Sequence, residues 1–272
     1  MGTLDLVKLL IEGTIAGLLS ALIIVLSHKL SEERHKLSEE RLNSAKKDKE
    51  IEELYKKLNC YISQSGVKSL NDTIDSHINF QIIPEILYAF KTYENIMDLS
   101  SKYKIDPDLY VNVAKSYSVM KDWEMAIKYF ELSMPNMATN WNVQFLYGVA
   151  CANSRNCSHY LKSLESYSNA IIYMPDNIET NMKARLYVYR GSIYKRIGRL
   201  EEAVSDLKYA LDNLQIGGYE KADALYNIAC VYAMQNKVSE YNDIMAILES
   251  EEDNDTIDRI KRRLKEYAPN FK

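Results

Sequence analysis

Apolar positions along this chain follow three regimes. From Leu9 to Leu26 they are nearly continuous (LLIEGTIAGLLSALIIVL), eleven of them Leu, Ile or Val. A helix crosses a bilayer with about 20 mostly apolar residues, and Leu4 and Val7 extend the stretch to that length. At about −0.3 to −0.6 kcal/mol each, those eleven side chains favour insertion by roughly 3–7 kcal/mol, and off-centre Glu12 opposes it by less than the ~3 kcal/mol midplane figure. No small-residue cleavage site follows, so residues 1–27 read as an uncleaved anchor rather than a signal peptide. Leu6 stands where a myristoylation motif needs Ser or Thr. Lys29, Arg34, Lys36, Arg41, Lys46, Lys47 and Lys49 follow the span and only Lys8 precedes it. That asymmetry predicts a single-pass protein of the cell membrane, N-terminus outside and the bulk of the chain cytoplasmic.

Within the span Gly13, Gly17 and Ala21 recur at i, i+4 and i+8, with Ala16 and Ser20 beside them and Glu12 in line. Such a face lets two spanning helices approach closely, which predicts a homo-oligomer through the transmembrane helix. The competing reading is that Glu12 snorkels to the interface and the small residues have no partner.

The second regime is a single stripe. Residues 28–41 repeat one heptad twice, HKLSEER then HKLSEER. Leu30, Leu37, Ile51 and Leu58 keep a seven-residue step that Ser44 interrupts, and the other faces are charged. A stable zipper needs two apolar positions per heptad. Residues 28–59 are therefore expected to form a solvated helical stalk of weak self-association.

The third regime is paired helical periodicity. Tyr110, Ala114 and Tyr117 are followed by Ala126, Phe130 and Ser133. The pattern returns as Tyr147, Gly148, Cys151 then Ser163, Tyr167, Ala170. It returns again as Tyr187, Gly191, Tyr194 then Ala203, Leu207, Ala210, and finally as Leu225, Ala229, Tyr232 then Tyr241, Met245, Leu248. Each unit reads as two antiparallel helices, A and B. A small residue on each lets them approach, and large residues fill the space between. Neither helix pair buries its face alone, so the units must stack. Ala114 to Gly148 spans 34 residues, and the next two steps stretch to 43 and 38 through loops near Ser154–Tyr160, Asp176–Lys183 and Gln215–Tyr219.

On these residues the chain resembles the tetratricopeptide repeat family, whose period is about 34. The unit from Tyr187 to Ala203 carries the resemblance best, with Gly198 at its inter-helix turn, and the unit around Tyr226–Ala233 resembles those closing arrays in bacterial members. The resemblance implies an all-α fold: a right-handed α-α superhelix of four repeats over residues 106–250, preceded by degenerate repeat-like helices over 60–105. Over 251–272, Ile257, Ile260, Leu264 and Tyr267 form the apolar face of a capping helix.

The resemblance also implies that function lies in a concave groove formed by A-helix positions. Carried over, these are Asp108, Val111 and Lys115; Asn142, Phe145, Val149 and Asn153; Arg185, Val188, Ser192, Lys195 and Arg196; and Asp223, Tyr226 and Cys230. Lys115, Arg185, Lys195 and Arg196 make the groove locally basic, so the expected occupant is a peptide or helix of a protein partner, with acidic character. The residue set that clamps chaperone tails is not matched.

Composition narrows the classes further. With 9 Gly and 5 Pro in 272 residues the chain lacks the turn residues of a β sandwich or barrel. Its net charge of −4 offers no basic excess for nucleic acid. Cys60, Cys151, Cys157 and Cys230 form no metal-type pair and read as small buried or half-buried residues in a reducing compartment. No phosphate loop, dinucleotide, zinc-protease or nucleophile-elbow motif occurs, so neither an enzyme nor a cofactor or metal is expected. The acidic run Glu249–Asp255 lacks the Gly and Glu of a calcium loop, and His77 and His159 are isolated. The 21 Tyr against 5 Phe call for rings whose hydroxyls reach polar surroundings.

The leading expectation is a membrane-anchored adaptor that binds a protein partner in its cytoplasmic groove. The alternative is a signal-responsive membrane effector, of the kind found in bacterial anti-phage defence, whose spanning helices assemble and disrupt the bilayer. A third is a receptor for targeted precursors on an organelle.

Overall fold

The computed structural model describes residues 3–69, 79–98, 104–154, 156–178, 180–213, 219–251 and 260–264, with side chains from Val25 onward except at Ser69, Ile96, Asp98, Thr180, Tyr219 and Glu251. Among them the regular structure is helical: α1 (Thr3–Ser65), a short 3-10 turn (Val67–Ser69), α2 (Ile83–Asp98), α3 (Pro107–Val119), α4 (Trp123–Met137), α5 (Trp141–Asn153), α6 (His159–Tyr173), α7 (Thr180–Arg196), α8 (Leu200–Asn213), α9 (Tyr219–Met234) and α10 (Val238–Glu251). The anchor expectation, with Glu12, Gly13, Ala16, Gly17, Ser20 and Ala21, lies outside the described side chains. Among the described residues no helix is long and apolar enough to cross a membrane.

The helices start where their sequences supply caps. Asp106 accepts from Asp108 N at 3.0 Å ahead of Pro107, a residue suited to a first helical turn. Asp122 accepts from Met125 N at 3.2 Å, and Asn140 from Asn142 N and Val143 N at 3.1 and 3.2 Å. Three of the four repeat units turn the same way between A and B. Lys121, Gly198 and Asn236 take φ of 59°, 82° and 58°. In each turn the next residue's N–H reaches back to a tyrosine carbonyl five positions earlier: Asp122 to Tyr117, Arg199 to Tyr194 and Lys237 to Tyr232, at 3.0, 2.9 and 2.9 Å.

Helices pack as five consecutive antiparallel hairpins, α1·α2 through α9·α10, each B helix leaning on the next A helix. The small residues sit at the closest approaches. A methyl added at Gly148 would stand 2.7 Å from the Tyr167 ring, and one at Gly191 would stand 2.8 Å from Leu207 Cγ and 3.2 Å from the Ala203 carbonyl. Ser163 donates its hydroxyl to Gly148 O at 2.9 Å across the same contact. Ala114, Ala126, Ala203 and Ala229 are fully buried. Rings bridge the hairpins: Phe90, Tyr110, Tyr129 and Tyr117 form one cluster, and Phe145, Tyr167 and Tyr189 another. Of these, Phe90, Tyr129, Phe145 and Tyr167 are buried, each contributing about 2–3 kcal/mol, and Tyr110, Tyr117 and Tyr189 are half-buried.

Tyr serves better than Phe where its hydroxyl meets a carboxylate. Tyr129 Oη donates to Glu94 at 3.3 Å and Tyr147 Oη to Glu131 at 2.8 Å, with Lys91 and Lys162 on the same carboxylates at 2.9 and 2.6 Å.

α1 runs past residue 59 without a break, and its apolar face is covered from Ile51 onward. Leu58 and Ile62 are buried, and Ile51, Leu54, Tyr55 and Tyr61 pack against the same core. The last four turns of α1 therefore serve as the A helix of the first hairpin, and the solvated part of the stalk ends before residue 51. Cys60 and Cys157 are exposed and Cys151 and Cys230 buried, all four as free thiols. Burial pushes the Cys151 thiol up to about 12, which makes it inert. His159 is buried with Nδ1 2.7 Å from the Ser154 hydroxyl.

Candidate functional site

A groove of about 440 Å³ opens where α1, α3 and α5 meet. Asp106 and Asn140, the caps of α3 and α5, stand at its edge with Asp108 and Asn142 in the first turn of each helix. Val111, Asn112 and Lys115 line it from α3; Tyr55, Asn59 and Ile62 line it from α1, and Lys68 from the 3-10 turn. The expected residues Asp108, Val111, Lys115 and Asn142 thus come together. The α1 wall was not foreseen, because this part of the chain reads as charged stalk. The signal was present in Ile51, Leu54, Tyr55, Leu58 and Ile62, spaced three and four apart.

Lys115 dominates the chemistry. It is only 5 % exposed, yet among the described residues its ammonium makes one hydrogen bond, to Lys68 O at 3.3 Å. An ammonium carries three donors. Burial lowers its pKa to about 8, with Asp108 pulling the other way. The Asn side chains around it each combine donors with an acceptor, the set that recognises a polypeptide main chain. Asn112 already donates Nδ2 to Asp108 O at 2.9 Å. With Lys68 and Lys115 set against Asp106 and Asp108, the groove is balanced in charge rather than uniformly basic.

The remaining expected positions lie elsewhere, for one reason: a stacked A helix touches its own B helix, the preceding B helix and, for α3–α5 and α7–α9, the next A helix. Phe145 and Val149 are buried within α5, whose residues 143–151 are buried without a gap, and Val188 lies in the α7–α9 core. Asn153 donates to Val149 O, and Ser192 to Tyr189 O. Arg185 grips Glu220 through Nε at 2.7 Å and through a second guanidinium nitrogen. Arg196 donates to Ala152 O at 2.7 Å, closing the last turn of α5. Lys195 is 6 % exposed and donates to Asn227 Oδ1 at 2.6 Å beneath the Tyr226 ring. Asp223 faces it, its carboxyl pushed up by burial while Lys195, Arg263 and Arg196 pull it down. Tyr226 is covered in turn by Arg263 at 4.7 Å, and Cys230 is buried beside them. Of the cations expected to draw an acidic partner to the later units, Arg185 and Lys195 are thus matched within the protein, while exposed Arg196 is held by a carbonyl and the Tyr160 ring.

No family model matches the chain, and no curated protein matches it. Among solved structures, the crystal structure of TTC0263, a thermophilic TPR protein in Thermus thermophilus, is similar with a TM-score of 0.44 and 14% identity, over 69% of this chain and 91% of that one. The assignment of an all-α stack of hairpins rests on the packing described above.

Proposed function

We propose that the protein is a tetratricopeptide-like adaptor that holds an extended segment of a partner protein in the α1–α3–α5 groove and is tethered to the cell membrane by its N-terminal apolar stretch. The observation that carries the groove is Lys115: a buried ammonium with a single long bond, set in a peptide-sized cavity among asparagine amides. A carboxylate or main-chain carbonyl of the partner supplies the missing acceptors, and the amides take the neighbouring peptide groups. The tether rests on the sequence alone, on the length of Leu9–Leu26 and the cations that follow it.

A random peptide library selected on the full-length protein tests the groove. Recovered peptides are expected to carry an acidic side chain or a free C-terminus and to bind Lys115→Met at least about tenfold more weakly, the range of a charge-assisted bond. Their affinity falls as pH rises from 7 to beyond 8, where Lys115 loses its proton. Peptides that bind Lys115→Met as well as the parent would end this assignment. For the tether, the chain is expected to stay with membranes through alkaline carbonate extraction, and release into the supernatant would refute it.

A further inference from the structure

The seven-residue row of the stalk does not stop where the solenoid begins. With Leu30 and Leu37 at heptad position d, Ser27, Arg34 and Arg41 fall at a, and Glu33 and Glu40 at g. The same register continues unbroken to Ile51 and Leu58 at d and Tyr55 and Ile62 at a. From Ile51 on, this row is covered by the first hairpin. Upstream it is bare: Leu30 and Leu37 are 55% and 53% exposed, and every residue from Val25 to Lys47 is exposed. The two halves share one register across the Ser44 interruption, and one is partnered while the other is not.

We infer that the bare half pairs with the same row of a second copy of this chain, the two helices parallel and in register from Leu26 to Ser44. Charge chooses this partner and this direction. In a parallel pair each g position lies beside the a position of the other helix. Glu33 then meets Arg34 of the second copy, and Glu40 meets its Arg41. An antiparallel pair sets g beside g, Glu against Glu. Moving Leu30 and Leu37 to position a fails as well: Glu33 and Glu40 then occupy d, facing their own copies, and Lys36 at g faces Arg41 at e. Of these pairings only the parallel one with leucine at d sets glutamate beside arginine: Arg34 and Arg41 there face their own copies, and the two flanking glutamates at g, Glu33 or Glu40 of each helix, neutralise each arginine pair. Arginine at a weakens such a seam while fixing its register. Ser44 at d and Asp48 at a end the seam just before the solenoid takes over the row.

Cysteine cross-linking of the full-length chain in mild detergent tests this. Cys60→Ser and Cys157→Ser remove the exposed thiols, and single cysteines are then introduced by Leu30→Cys, Leu37→Cys or Glu39→Cys, the last on the outer face. Leu30→Cys and Leu37→Cys should each give disulfide-linked dimers at least about tenfold faster than Glu39→Cys, because d positions face each other within disulfide reach. The two positions are roughly 10 Å apart along the helix, so an antiparallel pair can link only one of them. Arg34→Glu with Arg41→Glu should slow the Leu37→Cys reaction about tenfold, and adding Glu33→Arg and Glu40→Arg should restore it. Equal rates at 30, 37 and 39, linkage at only one d position, or indifference to charge reversal would each overturn the proposal. All these stalk substitutions lie on exposed helix, and an unchanged melting curve confirms that the solenoid is intact.

Discussion

Two buried lysines on A helices, one in the first repeat unit and one in the third, were treated differently by the fold. Lys195 lies against Asn227 at 2.6 Å, with Asp223 nearby and the Tyr226 ring 5.1 Å from its nitrogen. Lys115 has a single carbonyl at 3.3 Å and a cavity in front of it. Burial lowers the pKa of both. The difference separates a charge that completes a structure from one with a cavity in front of it, and it is the reason for proposing recognition at the stalk end of the stack.

The largest test of this contrast is Lys195→Ala. It strands Asp223 and Asn227 in the interior and should cost about 2–4 kcal/mol in urea unfolding; a neutral result would erase the distinction. Lys115→Met should act in the opposite direction and stabilise the protein by about 2 kcal/mol at pH 7, since it removes a cation that folding desolvates. The sign follows from its pKa, about 8 in the folded chain against 10.5 for an ordinary lysine. Between those values the unfolded chain binds more protons, so the parent gains stability as pH rises and the advantage of the Met variant shrinks towards pH 10. If Lys115→Met instead destabilises at pH 7, Lys115 is a structural residue like Lys195. Arg185→Ala breaks the half-buried pair with Glu220 and should cost about 1 kcal/mol by thermal melting, with no effect on peptide affinity at the Lys115 groove. The smallest effect is expected at a turn. Lys121→Gly relieves a left-handed backbone and should stabilise by about 0.5 kcal/mol, whereas Gly198→Ala, at the matching turn of the third unit, should lose a comparable amount.

The hairpins were legible because their signals are local. Gly148 and Gly191 stand out as small residues in aromatic surroundings, and the structure sets each against a B-helix side chain it could not otherwise approach. Sites were less legible because they depend on neighbours one repeat away. Arg185 with Glu220, Lys195 with Asn227, Tyr129 with Glu94 and Lys162 with Glu131 are separated by 35, 32, 35 and 31 residues. Read one helix at a time, each donor looks free; read at one-period spacing, its partner is visible. The α1 wall of the groove escaped notice for a related reason, since Glu52, Glu53, Lys56 and Lys57 mask an apolar face that only a three-and-four spacing reveals.

α1 also has a mechanical consequence. From Leu26 to Ser65 it contains neither glycine nor proline, and at 1.5 Å per residue it spans about 60 Å. Tyr55 and Asn59, which wall the groove, belong to the same rod as Leu30 and Leu37. A rod without a joint transmits twist as well as displacement. In the proposed binding mode, a shift of the wall meets no glycine or proline joint along the shaft that would absorb it as bending or twist.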